Sequence, residues 1–591
     1  MKYGINRALK MICLVALAGK TLSAPERMQE YALPVVTSDL DVAALCGYNV
    51  MGRGGNAVDA AVATAIAVGA INSFASGLGG GGFLLLKLKD GKCFEYNFRE
   101  RAPGSARKEN YKVQEDSRSG RKSIAIPSEL MGLLTVHMDY GRLPWKDLFL
   151  EIVGILRTGF RVQEVLAKKL KEFEHIIVKD AGLRETFFRE GRLVRENEVV
   201  KRENLARTLE VLSENPWSFY TGEVADSLLS FINAGEEYIT REELRGIPVI
   251  KKEVFPEVIG ESVEVYTPGL PTMGWMIRIG VAVIKQLKDA GVDMSREKTL
   301  QENLMVVYNE LYRIRAELDD LQDEKANQES LIKHSEQSRI VQKITEKILK
   351  KNRFIPYLKK PLEDHGTTHI NVIDRDGMMV SLTSTINQYW GSGLMDPQTG
   401  IILNNQIDDF TFTGFQNSSG ISSFCRNKNG VQPYKQPLSS TMPSILRMDS
   451  DFYILGSSGG IRIPTAVIST LSRTILCKNS IEDAISHPRL HYQGGDTIKV
   501  EHNYRDPLPD LGIKWKVLRD SADTISSCVH IIKYSLEKRT AQAAADKRKG
   551  AAVVGAPLKH SPGLSTVFNA FTSVPFRKIE GVFHIEGIDR K

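Results

Sequence analysis

Cysteine is scarce: six in 591 residues, at Cys13, Cys46, Cys93, Cys425, Cys477 and Cys528, widely spaced and with no CxxC pair. That spacing supports neither a metal site nor a dense disulfide framework. Long apolar runs are missing as well. The N-terminal run from Met11 to Ala18 is too short to cross a bilayer, which takes about 20 apolar residues. There is no long basic block, and a net charge of +7 spread over the chain gives no reason to expect nucleic acid as a partner. The charged stretch 296–352 is helical by spacing, with Leu304, Tyr308, Leu311 and Ile314 in step, but its apolar heptad stops at Leu321. Solvated surface helices are expected there rather than a coiled coil.

What is present is the composition of an ordinary folded protein, 42% hydrophobic and 25% charged. Lys2, Arg7 and Lys10 precede the apolar run, and Ala16, Ala18, Ser23 and Ala24 follow. The pattern reads as a secretory signal over residues 1–24, with a signal-anchor or a short buried helix as alternatives. Asn417-Ser418-Ser419 is a glycosylation sequon if the chain enters a eukaryotic secretory path. Residues 40–72 read as helix broken at Gly54 and Gly55, residues 83–88 as strand, and 127–172 and 200–235 as amphipathic helices. From 364 onward the composition changes. Residues 368–374 and 378–385 alternate apolar and polar around Asp374-Arg375-Asp376-Gly377, which reads as a β-hairpin. Strands are expected at 400–404 and 451–455, a helix near 463–477, and a tail without recognisable chemistry over 556–591.

Three segments invite chemistry. Gly77, Gly79 and Gly82 spell GxGxxG, but the order is helix, glycines, strand. A dinucleotide site needs the reverse, so a tight turn packed against another element is the expectation. Gly456-Ser457-Ser458-Gly459-Gly460 fits GxSxG between a strand and a helix. It suggests a serine α/β-hydrolase with Ser458 as nucleophile, helped by Asp483 and His487 or His491. The third segment places Thr367 after Gly366 at the mouth of the hairpin. An internal threonine there becomes a chain terminus if its hydroxyl attacks the preceding carbonyl and the resulting ester is hydrolysed. The freed α-amine, with a pKa near ~7.7, then serves as base for its own hydroxyl.

The order of landmarks from about 40 to 555 resembles the γ-glutamyltransferases, a family of N-terminal-nucleophile hydrolases. They are GGNAVDAAVATAIAVG (54–69), SGLGGGGF (76–83), NFRERAPG (97–104), ELMGLLTVHMDYGRLPWKDLF (129–149), TTHINVID (367–374), STINQYWGSG (384–393), GIILNNQIDDF (400–410), KQPLSSTMPSI (435–445) and LGSSGGIRI (455–463).

The resemblance implies an α+β fold, a four-layer αββα sandwich. It implies cleavage between Gly366 and Thr367 into a large subunit (25–366) and a small one (367–591) that stay together as a heterodimer. Thr367 is the implied nucleophile, Thr385 its neighbour, and Gly459 and Gly460 the oxyanion donors. Arg99, Ser439 and Ser440 would read the substrate carboxylate, while Asp409, Gln406 and Asn387 would read its ammonium. Implied substrates are glutathione and other γ-glutamyl amides, with water, amino acids or dipeptides as acceptors and no cofactor or metal. The implied route is secretory, ending extracellular, periplasmic, vacuolar or membrane-anchored. A non-maturing relative without enzyme activity remains an alternative to this and to the Ser458 hydrolase. Departures from the family are a looser 267–274 stretch, the absence of the aspartate–proline loop after 315, and a lid segment 411–434 where Phe415 or Phe424 would replace a covering tyrosine.

Overall fold

The computed structural model describes residues 29–260, 262–318, 334–356, 366–412, 414–415, 428–475, 479–521, 524 and 527–558. The expected N-terminal signal, the sequon at Asn417, Phe424, Cys13, Cys425 and Cys477 lie outside them, as do residues 559–591 of the tail.

A hairpin organises the molecule. Strands β7 (Thr368–Ile373) and β8 (Met379–Thr385) pair antiparallel from Thr368 opposite Ser384 to Ile373 opposite Met379. The turn is fixed by Asp374, whose Oδ1 accepts from the N–H groups of Asp376 and Met378 at 2.9 and 3.0 Å. The hairpin sits in mid-sheet. β8 pairs on its other edge with β2 (Gly81–Lys87), and β7 with β1 (Glu30–Ser38).

The remaining main-sheet strands are β3 (Cys93–Phe98), β4 (Ile250–Glu253), β5 (Glu257–Ile259), β6 (Val263–Tyr266), β9 (Ser444–Met448), β10 (Asp451–Ser458), β11 (Cys528–Ser535), β12 (Thr540–Ala545) and β13 (Ala552–Pro557). The pairing order is β4-β3-β2-β8-β7-β1-β12-β11-β10-β9-β6-β5, with β13 also on β1. The ladder folds back on itself at β1, so that β7 and β8 face β10. Val35, Leu85, Ile373, Ile445, Ile454 and Ile532 fill the space between the two halves.

Helices close both outer faces. α1 (Asp41–Gly52) and α2 (Ala57–Ile71) cover the first half. Asn56 caps α2, its Oδ1 accepting from Val58 and Asp59 at 3.0 and 3.1 Å while Asp59 accepts from the Asn56 N–H at 2.9 Å. This reciprocal box supplies partners for N–H groups that the helix itself leaves orphaned. α2 is buried on every side, and its alanines allow the close packing this requires. α3 (Gly274–Asp289), α4 (Glu297–Arg315) and α5 (Ile463–Ile475) cover the second half. The layers are α, β, β, α, as expected.

Two expectations are corrected. α4 is not a solvated surface helix: Leu300, Leu304, Val307, Tyr308, Leu311 and Tyr312 are all buried, and Tyr308 and Tyr312 donate to the Thr465 and Ile461 carbonyls at 3.1 and 2.6 Å. Its i, i+3, i+4 stripe is a core stripe, hidden in a charged composition. Residues 400–404 form no strand, only isolated bridges from Ile402 and Leu403. There the Asn404 amide donates to the Gly79 and Ala125 carbonyls at 2.7 and 2.8 Å, a side-chain substitute for ladder pairing. The tail is partly structured, since β13 runs to Pro557 against Tyr31.

The glycine run before β2 explains itself by contact. A Cβ at Gly80 would lie 2.1 Å from the Thr385 carbonyl oxygen, and one at Gly79 2.0 Å from that of Ile402. Gly80→Ala is therefore expected to lower the thermal midpoint, overpacking of this kind typically costing about 1–3 kcal/mol. Gly154→Ala, in the Leu150–Thr158 helix with open space around it, should be neutral or stabilising by about 0.5–1 kcal/mol. Thermal melts of the two variants check the pair, and equal midpoints would contradict the packing argument.

Candidate active site

Thr367 precedes β7 at the edge of a pocket of about 290 Å³. The pocket is lined by Arg99, Thr367, Thr385, Asn387, Gln406, Asp409, Ser439, Ser440 and Gly460, together with Thr441, Ile461 and Ile463. Of the site residues that the family resemblance implies, Gly366 and Gly459 alone are not in the lining, and each adjoins one that is. Chain positions from 99 to 460 thus converge on one cavity.

Its chemistry centres on the Gly366 carbonyl. The Thr367 and Thr385 hydroxyls both donate to that oxygen, at 2.6 and 2.8 Å. Thr385 Oγ1 in turn accepts from the Asn387 N–H at 2.9 Å, which fixes its direction. Asn387 holds a left-handed backbone (φ 75), and its amide donates to the Asn405 carbonyl at 2.9 Å. Gly459 and Gly460 (φ 120 and 54) turn the chain out of β10 beside the pocket. A Cβ at Gly459 would lie 2.6 Å from Ser527 Cα, so the turn requires glycine.

Opposite charges meet on the far wall. The buried Arg99 donates through Nη2 to Asp409 at 2.5 Å and to the Leu438 carbonyl at 3.1 Å, and through Nε to the Pro437 carbonyl at 3.3 Å. Gln406 donates to the same Asp409 oxygen at 2.6 Å, while its own Oε1 is buried without a partner among the described residues. Ser439 is held by the 267–274 stretch, its N–H donating to the Pro271 carbonyl at 2.9 Å, and its hydroxyl lies 2.9 Å from that of Thr441. Behind the wall, burial pushes the Glu100 carboxyl up to about 7, although Arg99 pulls it down. Burial likewise lifts Glu129 to about 8; it accepts from Ser384 at 2.5 Å.

Asp39, His530 and Lys549 carry no motif that marks them, and sequence reasoning missed them. The buried Lys549 ammonium donates to the Thr367 carbonyl, to Asp39 at 3.0 Å and to Ser458 Oγ at 3.2 Å. Asp39 also pairs with His530 at 2.6 Å. Burial opposes its charge, but Lys549 and His530 hold the carboxyl at about 2. His369 stacks on His530 with ring centroids 6.1 Å apart, and burial lowers its pKa to about 3, so it is neutral. In the sequence Lys549 belongs to a short basic run, which is usually a solvated surface.

These contacts overturn the Ser458 hydrolase reading. Ser458 is fully buried at the end of β10 with its hydroxyl against Lys549. His491 is engaged by Thr465 and Gln493 at 2.7 and 2.9 Å, and His487 lies beside Glu297 and Asp506. Asp483 bonds Ser480 at the start of the Ile481–Ser486 helix. Among the described residues, none of Asp483, His487 and His491 bonds Ser458, whose hydroxyl instead accepts from Lys549. Phe415 stacks on Phe412 at 4.8 Å and does not line the pocket.

The αββα sandwich with a threonine leading a central strand defines an N-terminal-nucleophile hydrolase fold. Cephalosporin acylase from Bacillus halodurans has a similar fold, with a TM-score of 0.77 at 21% identity over 92% of this chain and 99% of that one. The sequence model of the Gamma-glutamyltranspeptidase family matches residues 43–556, and the chain belongs to that family. Glutathione hydrolase proenzyme 1 of Schizosaccharomyces pombe is 33% identical over 78% of this chain and 74% of its own length. Scoloptoxin SSD14 of Scolopendra dehaani is 32% identical over 90% of this chain and 94% of its own.

Removing Lys549 would strand a buried Asp39 charge, and breaking a buried pair from one side typically costs about 3–5 kcal/mol. Lys549→Met is expected to lower the denaturation midpoint and to impair cleavage before Thr367. Ser458→Ala should leave cleavage and most activity in place. Activity loss in Ser458→Ala as deep as in Thr367→Ala, with cleavage intact, would restore the serine as nucleophile.

Proposed function

We propose that this protein cuts its own chain between Gly366 and Thr367, then uses Thr367 to transfer γ-glutamyl groups from glutathione and related amides. The observation that carries the reading is the pairing of two hydroxyls on the Gly366 carbonyl with an Arg99–Asp409 ion pair across the same pocket.

In maturation, Thr367 Oγ attacks the Gly366 carbonyl carbon and the amide nitrogen takes up a proton and leaves. Thr385 polarises the carbonyl oxygen. Water then hydrolyses the ester, giving a Gly366 carboxylate and a free Thr367 amine. The two pieces remain entwined because β1 to β6 come from the large segment and β7 to β13 from the small one. β1–β7, β2–β8 and β6–β9 pair across the cut, so a heterodimer is the expected product.

In turnover the α-amine accepts the hydroxyl proton as Thr367 attacks the γ-carbonyl, and delivers it to the departing amine. The Gly459 and Gly460 N–H groups serve as oxyanion donors, typically worth roughly 2.7–4 kcal/mol each. Water, an amino acid or a dipeptide then takes the acyl group from Thr367. The α-carboxylate of the substrate binds Arg99, Ser439 and Ser440. Its ammonium binds Asp409, the unpartnered Gln406 oxygen and Asn387. The substrate zwitterion thereby replaces the internal Arg99–Asp409 pair, charge for charge. The basic and apolar N-terminus supports entry into a secretory route, ending outside the cell, in a periplasm or vacuole, or at a membrane. Among the described residues no helix is long and apolar enough to cross a membrane.

Purified protein should run as two bands on a denaturing gel, the smaller beginning Thr367-Thr368-His369 by N-terminal sequencing. Thr367→Ala should give one uncleaved, inactive chain. A single band from the unaltered protein would instead support a non-maturing relative.

Asp409→Asn removes the charge that faces the substrate ammonium. Truncating one partner of a desolvated pair typically costs about 2–5 kcal/mol, so kcat/KM for a γ-glutamyl anilide should fall at least about tenfold. The glutaryl anilide, which lacks the α-amine, should lose far less, and self-cleavage should persist. Equal losses on both anilides would remove Asp409 as the ammonium reader.

A further inference from the structure

The last residue of α4, Arg315, is buried at 3% exposure, and its guanidinium reaches the substrate wall from behind. Nη2 donates to Ser440 Oγ at 3.4 Å, whereas Nε and Nη1 are buried without a hydrogen-bond partner among the described residues. Such groups ordinarily find one. A cation at a helix C-terminus has a bland explanation, attraction to the terminal carbonyls. Here two of the three guanidinium nitrogens reach no carbonyl, so that explanation does not account for the geometry. The charges within its electrostatic reach are those of the pocket, Asp409 and Arg99.

We infer that Arg315 is a positioning residue for the α-carboxylate of the donor substrate, acting through the Ser440 hydroxyl; this rests on the γ-glutamyl reading above. A serine hydroxyl has one hydrogen and two lone pairs. Ser440 accepts from Arg315 on the buried side, which leaves its single hydrogen for the pocket, where an anion is the complementary ligand. Arg99 already commits Nε and Nη2 to the Pro437 and Leu438 carbonyls and to Asp409, and its Nη1 lies 3.7 Å from Glu100. When a substrate ammonium draws Asp409 away, Arg99 offers the freed Nη2 hydrogen together with Nη1, and Arg315 adds a second positive charge behind Ser440. Ser439 offers the carboxylate its hydroxyl alone, which lies 2.9 Å from that of Thr441, because its N–H is donated to Pro271.

The test compares kcat/KM for a γ-glutamyl anilide with that for its α-methyl ester, which keeps the ammonium but has no carboxylate. Unaltered protein should prefer the acid. In Arg315→Met that preference should shrink by about tenfold, the scale of one hydrogen bond to a charged group, chiefly through KM, and Arg315→Lys should restore part of it. Because the effect passes through the hydroxyl, Arg315→Met should add little in a Ser440→Ala background. Maturation into two bands reports that each variant is folded. Equal losses on acid and ester, additivity with Ser440→Ala, or loss of maturation in both Arg315 variants would assign the residue to the fold and overturn the inference. Failure of the unaltered protein to turn over either anilide would instead overturn the γ-glutamyl reading itself.

Discussion

A lysine ammonium taken wholly out of water holds the site together. Burying a charge costs several kcal/mol unless it is paired and hydrogen-bonded. Lys549 meets that condition with a carboxylate, a hydroxyl and a backbone carbonyl, one for each of its hydrogens. These partners lie at the end of β1, the end of β10 and the start of β7. One point charge therefore pins both halves of the folded-back sheet to Thr367. The neutral His369 and the Asp39–His530 pair complete a buried polar layer under Thr367. Such a layer has few alternative arrangements, because any slip leaves a donor or an acceptor unsatisfied.

Above that layer the pocket is built of groups that restrain one another. Arg99 and Asp409 neutralise each other across it, and Gln406 holds the same carboxylate oxygen. A ligand bearing only one charge would separate the pair and satisfy one member. A zwitterion satisfies both, which is how a site of fixed dipoles can select the amino-acid end of a molecule while remaining indifferent to the amine on the far side of the bond. The two hydroxyls on the Gly366 carbonyl, from Thr367 and Thr385, are restrained in a similar way by sharing one acceptor.

Much of this was legible in the residues. The hairpin at 368–385 announced itself by alternation and by an aspartate–glycine turn, and both flanking strands pair as read. The break at Gly54–Gly55 between two helices was equally local. The glycine run before β2 was readable as a tight packing turn because its order is wrong for a nucleotide site, though the strand it packs against was not. Where reading failed, the signal was non-local. α4 looks charged and solvated because its buried stripe is interleaved with lysine and glutamate, and only the neighbouring helices α3 and α5 decide that the stripe is covered.

The sequence by itself determined the local elements, the family motifs in their order and the set of polar residues that line the pocket, because these depend on short-range periodicity, on turn chemistry and on which side chains can bear a given charge. Tertiary structure decided which serine faces the pocket and which is buried against a lysine, that Arg99 is already engaged by Asp409, that Asp39, His530 and Lys549 gather beside Thr367, and that Arg315 meets Ser440. Their partners lie as far as 510 residues away along the chain, and hydrogen bonding and desolvation depend on distance in space, which no window of sequence contains.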